Sequence, residues 1–160
     1  MVEVVAQTKA GSVKINSENV EELLKMKADM DLVKDISDTI SQEGLMVFDC
    51  KLDKNIFYIE SLDEDIIEEY QLDEEYMQVI FEDIQDYLYG VMDDIEHDCQ
   101  EEYKMDQIKA HCEIYDVDES FTDIKFVVAM SFREIKKPEL ADLARIVAKR
   151  QLEGSSKYFN

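Results

Sequence analysis

Met77, Ile80, Ile84, Leu88, Val91, Ile95 and Cys99 step by 3, 4, 4, 3, 4 and 4 residues, the spacing that puts apolar side chains on one face of an α-helix. Around that stripe, Asp73 to Glu102 holds 12 carboxylates and neither lysine nor arginine. At a 1.5 Å rise the segment is a rod of about 45 Å, with Gly90 as its one weak point. A helix of that length with a single apolar stripe has to lie on a broad apolar layer. The 160 residues must supply that layer, and a chain of this size buries about 68 to 70% of its unfolded surface as one domain. The expected domain therefore runs over 1–160, with an acidic helical segment at about 60–107.

The rest of the chain reads as strands and short helices. Val2 to Gln7 and Val13 to Ile15 alternate around a turn at Lys9 to Ser12. Asn16 and Ser17 offer N-caps to a helix whose apolar positions, Leu23, Met26, Met30, Val33, Ile36 and Ile40, recur at helical steps, with Gly44 as its stop. Leu45 to Leu52 and Ile56 to Glu60 predict a hairpin around Asp53-Lys54-Asn55. Ser61 and Glu64 form a capping box for a short helix over Leu62 to Tyr70, and the long helix starts at Asp73. Lys109 to Asp116 and Phe121 to Arg133 predict a second hairpin across Asp118-Glu119-Ser120. In its second strand Ile124, Phe126, Val128, Met130 and Phe132 share one face. Pro138 and Glu139 open a last helix, with Gly154 as its stop and 155–160 as a loose tail. The expected class is α+β, an antiparallel sheet built from hairpins and packed against helices, with a long acidic central helix.

Charge divides the chain more sharply than composition suggests. Of 39 acidic and 17 basic residues, formally −22, residues 60–123 hold 24 acidic and two basic, Lys104 and Lys109. Residues 1–59 carry −4 and residues 124–160 carry +4, so the whole excess belongs to the middle of the chain. Such a surface does not bind a phosphate backbone, which requires clustered lysine and arginine. Direct nucleic-acid binding is therefore not expected. Met1 to Gly11 has no signal-peptide pattern, and the longest apolar run, Phe126 to Met130, is far below a membrane span. The expected location is the cytoplasm, with no membrane partner. Cys50, Cys99 and Cys112 are odd in number and read as reduced thiols.

Catalytic and metal signatures are weak. His97 with Cys99, and His111 with Cys112, lack the paired spacing of structural zinc sites. Cys99 lies on the apolar stripe and His97 off it, while adjacent strand residues point to opposite faces. Asp116, Asp118 and Ser120 imitate the start of an EF-hand loop, but Phe121 stands at the turn-glycine position and Val127 at that of the bidentate glutamate. Asp49 to Glu60 places Lys51 and Lys54 at ligand and glycine positions. Asp123-Ile124-Lys125 puts a carboxylate and a lysine on one strand face, as metal-dependent nucleases do, without the positive surroundings that a polyanionic substrate needs. No cofactor, no metal and no catalytic residues are expected, and the chain reads as a non-enzyme.

The acidic helix points to a partner instead. Solvated helix faces ordinarily interleave opposite charges at i+4, and here that compensation is missing. Tyr70, Tyr76, Tyr87, Tyr89 and Tyr103 lie among the carboxylates, and tyrosine is enriched at interfaces. The mean of one carboxylate per roughly 3.8 Å of axis compares with about 3.4 Å per phosphate along one DNA strand. The candidate partner-binding residues are Glu82, Asp83, Asp86, Asp93 and Asp94, with Glu101 and Glu102 extending the track. Small acidic α+β chains of this sort resemble, in kind only, phage-encoded anti-restriction and anti-CRISPR inhibitors. That resemblance implies an inhibitor acting in the host cytoplasm, a mimic of nucleic-acid charge that blocks the basic groove of a nuclease or defence effector. Two other readings fit the same charge: an immunity or antitoxin protein neutralising one basic toxin, and an assembly protein whose acidic middle meets the basic Lys136 to Arg150 region of a second copy as a homo-oligomer.

Overall fold

A computed structural model of the chain describes residues 1–8, 11–27, 29–57, 74–118 and 120–158, with the side chains of 74 and 155–158 left aside. Its strands are β1 (Glu3–Thr8), β2 (Gly11–Asn16), β3 (Met30–Asp35), β4 (Leu45–Leu52), β5 (Lys109–Val117) and β6 (Ile124–Ser131). Its α-helices are α1 (Ser17–Lys27), α2 (Glu74–Tyr103) and α3 (Lys137–Tyr158), with one 3-10 turn at Ser37–Thr39. β1 and β2 form a two-stranded sheet, and the other four form an antiparallel sheet in the order β3-β4-β6-β5. The class is α+β, with antiparallel hairpins and a long helix.

The larger sheet is buried on both faces. Met46, Phe48, Cys50 and Leu52 of β4 and Ile124, Phe126, Val128 and Met130 of β6 enter one core, where they meet Leu23 and Leu24 of α1 and Ile84, Leu88, Met92, Ile95 and Cys99 of α2. Their period-two partners Leu45, Val47, Val127 and Ala129 enter a second core under Leu140, Leu143, Ala144 and Val147 of α3. Alternation alone sends them there, since neighbouring strand residues project to opposite faces. The result is three layers, with α2 and α3 on opposite faces of one sheet. No helix among the described residues is long and apolar enough to cross a membrane.

Several local expectations need correction. The helix anticipated to run from Leu23 through Ile40 ends at Lys27, and Met30 and Val33 belong to β3. Their spacing fits a helix, yet β4 has two backbone edges to satisfy. β6 takes one and β3 takes the other, in the register Val33↔Cys50 and Asp35↔Phe48; this tertiary pairing overrides local periodicity. The same pairing corrects the second hairpin. Asn55 N donates to Asp53 Oδ1 at 2.9 Å, making the expected turn, but Ile56 and Phe57 are not in a strand, because both edges of β4 are occupied. The rest of that strand, 58–60, and the helix expected over Leu62 to Tyr70 with its capping box lie outside the described residues. Gly154 does not stop α3, which continues through the expected tail to Tyr158.

Two polar arrangements fix the frame. Glu18 N donates to Asn16 Oδ1 at 2.7 Å, so Asn16 caps α1. Buried Ser17 accepts from Val2 N at 2.8 Å and donates to Asp35, whose other oxygen accepts from Ser37 N at 2.9 Å. Burial acts to raise the Asp35 pKa, but the donors from Ser17 and Ser37 outweigh it and hold it below the ordinary 3.8. The start of α1, the end of β3 and the 3-10 turn are thus joined at one carboxylate. At the other end, α2 stops where Lys104 adopts a left-handed φ of 54° and Met105 N donates to Gln100 O at 3.0 Å. This is the helix-ending motif that usually carries glycine.

Candidate partner-binding surface

The inner face of α2 sits where its apolar stripe predicts. Ile84, Leu88, Ile95 and Cys99 are buried, joined by Met92, while Met77, Ile80 and Val91 pack at the margin. With the helix phase fixed by that face, the outward residues follow at 3.6 per turn. All seven expected partner-binding carboxylates, Glu82, Asp83, Asp86, Asp93, Asp94, Glu101 and Glu102, are exposed.

They do not form one track. Glu75, Glu82, Asp86 and Asp93 lie within about 40° of each other around the axis, and Asp83, Asp94 and Glu101 make a second row roughly a quarter turn away. Glu102 follows Ile84 by 18 residues, about five whole turns, so it shares the azimuth of the buried face. It is exposed at the end of the helix, near the Lys27 ammonium. The other exposed carboxylates of the helix average about one per 6 Å of axis, roughly half the density of phosphates along one DNA strand.

Pairing thins the charge further. Asp98 meets Lys27 of α1 at 3.0 Å, a contact whose hydrogen bond and charge hold the Lys27 ammonium above its ordinary pKa. Glu96 meets Lys137 of α3 at 3.5 Å and accepts from Ala110 N at 3.1 Å. These two carboxylates tie the helix to its neighbours rather than to solvent. Glu82 accepts from Gln78 at 3.3 Å and Glu101 faces His97 at 3.2 Å. Asp83, Asp86, Asp93 and Asp94 make no hydrogen bond or ion pair among the described residues. Sequence alone exposes the stripe and its outward face, whereas Lys27 and Lys137 are 71 and 41 residues from their partners and carry no local signal.

One cluster escapes the sequence reading. Tyr89 of α2 stacks on His111 of β5 with centroids 5.9 Å apart, and His111 Nε2 lies 3.1 Å from Glu113 Oε2. Burial, then the neighbouring Glu113 and Cys112, raise the Tyr89 pKa. Here α2 meets the edge strand β5 ring to ring, a contact set by tertiary placement.

The remaining candidates are structural. Burial pushes the Cys99 and Cys112 thiols up to about 12 and raises Cys50 well above its usual value, which leaves all three as unreactive thiols. His97 faces away from Cys99, and His111 is turned to Glu113 and Tyr89. Asp118 uses its carboxylate inside its own loop, accepting from Thr122 N at 2.9 Å and Asp123 N at 2.8 Å and from the Ser120 and Thr122 hydroxyls. Burial opposes ionisation there, but those donors lower its pKa. Phe121, at the turn-glycine position of that comparison, adopts φ 57° and is buried beneath the turn. Asp123 lies between Lys51 at 3.1 Å and Lys125 at 3.8 Å, an ion-paired position across β4 and β6. No group of three or more His, Cys, Asp or Glu among the described residues is arranged to hold a metal ion.

No family model matches the chain, and neither a curated protein nor a solved structure matches it.

Proposed function

We propose that the protein is a non-enzymatic inhibitor whose outward α2 face occupies the cationic groove of a nucleic-acid-binding protein, such as a nuclease or defence effector. One observation carries this reading: Asp83, Asp86, Asp93 and Asp94 are exposed and without an intramolecular cation among the described residues. Their mutual repulsion raises the free energy of the free protein and is relieved when lysine or arginine arrives. The two rows and their spacing of about 6 Å favour a groove that reads a field of charge over one that reads every phosphate. Anti-restriction and anti-CRISPR inhibitors are the class this describes.

The test is displacement of a fluorescent duplex from a panel of basic DNA-binding nucleases at about 50 mM salt, where electrostatic binding is strong. Displacement from several members supports a mimic, displacement from one alone supports an immunity-type partner, and displacement from none contradicts both.

A second reading has its own observation. α3 exposes Arg145, Lys149 and Arg150 on the side of the sheet opposite α2, so opposite charges face outward from opposite layers. Contact between α2 of one copy and α3 of another would give a salt-sensitive head-to-tail assembly. Sedimentation at about 50 mM and about 1 M salt distinguishes it, because that assembly grows as salt falls.

A further inference from the structure

The outer edge of β1 has the geometry of an interface. Ser17 N donates to Val2 O at 2.9 Å, which makes Val2 and Ser17 a hydrogen-bonded pair. The register Val4↔Ile15, Ala6↔Val13 and Thr8↔Gly11 continues that set, since such pairs alternate along an antiparallel ladder. The N–H and C=O groups of Glu3, Val5 and Gln7 therefore point away from β2. None of them has a backbone partner among the described residues.

The other edges are guarded. β3 carries a register shift between Met30 and Leu32 and has Asp31 and Lys34 along it. β5 has a shift between Ile114 and Asp116, and Glu96 and Gln100 of α2 cap the backbone at Ala110 and Ile108. β2 has Lys14 at its centre. β1, Glu-Val-Val-Ala-Gln-Thr, carries a single charge, Glu3, near its start and has no lysine, no proline and no shift, and its central Val5 is 60% exposed. Proteins ordinarily protect such an edge with charge, proline or a bulge. An open cleft of about 630 Å³ runs along Val2 to Val5, with Ser37, the stretch Ile40 to Leu45 and Arg133 as its other wall, so a strand added to β1 enters between them.

We propose that β1 pairs antiparallel with β1 of a second copy, giving a continuous four-stranded sheet β2-β1-β1-β2 across a two-fold axis at Val5. The strand's own residues select both occupant and register. Centring on Val5 brings the outward-facing backbone groups of Val5 opposite Val5 and those of Glu3 opposite Gln7, the pairing that closes hydrogen bonds at all three positions. The same register sets each Glu3 carboxylate against a glutamine amide, not against the other Glu3. It also turns the exposed Val5 side chains into a cross-strand β-branched pair. Each copy carries −22, so the copies repel at long range and the dimer strengthens as salt screens them. That is the opposite of the salt response of α2 bound to a cationic groove. The two ideas therefore fail separately.

The experiment is sedimentation equilibrium of the full chain at about 50 mM and about 1 M salt, beside Val5→Lys and Val5→Pro. The Val5 N–H bonds nothing in β2, so neither change breaks the β1–β2 ladder, and the thermal midpoint reports that both variants are folded. A dimer in the wild type that tightens at least tenfold at high salt, with both variants monomeric, is the expected result. Val5→Cys adds a geometric readout. Cα atoms of a hydrogen-bonded antiparallel pair stand about 5.5 Å apart, within disulfide reach, and the native thiols are buried. The expected Val5→Cys product is a covalent dimer under mild oxidation, formed faster than that of Glu3→Cys. A wild type monomeric at high salt, variants that dimerise like the wild type, or equal cross-linking at Glu3 and Val5 would each overturn the proposal; pairing of β1 with a different chain would surface as the first of these.

Discussion

α2 and α3 cover opposite faces of one sheet and treat solvent in opposite ways. α3 interleaves its charges: Arg145 meets Asp142 at 2.8 Å within the helix, and Arg150 reaches Thr39 at 2.6 Å. α2 has no lysine or arginine, and among the described residues the lysines that reach it, Lys27 and Lys137, go to Asp98 and Glu96 at its flanks. Both helices have equally buried inner faces, so packing explains neither pattern. α3 has the outward face of an ordinary solvated helix, and α2 keeps an unbalanced one at a cost in stability.

If the inner faces are equivalent, Leu88→Ala and Leu140→Ala each cost about 2–5 kcal/mol, the usual range for a buried leucine. Both side chains are fully buried, and urea denaturation reads the loss; a much smaller cost at Leu88 would mean that α2 is not anchored as its burial implies. The outward faces differ at Gly90, where an added Cβ meets nothing within 4 Å among the described residues. Gly90→Ala should raise stability by about 0.5–1 kcal/mol through helix propensity. A loss of stability there would show that something packs on the outward face. Charge separates the helices by a few tenths. Asp86→Asn relieves repulsion with Glu82 and Asp83 and raises the thermal midpoint at low salt, whereas Asp142→Asn loses the Arg145 pair and lowers it, each by about 0.2–0.5 kcal/mol. Both effects should fade at 1 M salt, and equal signs would erase the contrast between the faces.

Acid titration probes the frame that holds both helices. The Asp35 pKa lies below its ordinary 3.8 in the folded chain. Its contribution is therefore complete above that value and lost as pH falls through the folded pKa. The Asp35→Asn variant should show a shallower acid limb in a plot of thermal midpoint against pH, and an unchanged slope would remove Asp35 from that role.

The legible parts of the fold were those where one period had no competitor. Leu45 to Leu52 and Ile124 to Met130 are short, mostly apolar runs bounded by turn residues, and the α2 stripe holds its phase for six turns. Met30 to Ile40 satisfied helical spacing by coincidence, and the open edge of β4, invisible locally, decided the matter. The candidate surface followed the same rule. Exposure of Asp83, Asp86, Asp93 and Asp94 follows from the position of Leu88, but the withdrawal of Glu96 and Asp98 into long-range pairs, and the turn of Glu102 off the track, required the placement of α1, β5 and α3.

The central claim is that Asp83, Asp86, Asp93 and Asp94 of α2, without a cation among the described residues, are the binding surface. The direct measurement is the duplex-displacement titration at about 50 mM salt, comparing wild type, Asp83→Asn/Asp86→Asn/Asp93→Asn/Asp94→Asn, and the α3 control Asp142→Asn/Glu153→Asn. The expected result is at least a tenfold loss of displacement in the fourfold α2 variant, with its fold intact by circular dichroism, and none in the control. Equal displacement by the wild type and the fourfold variant would contradict the account.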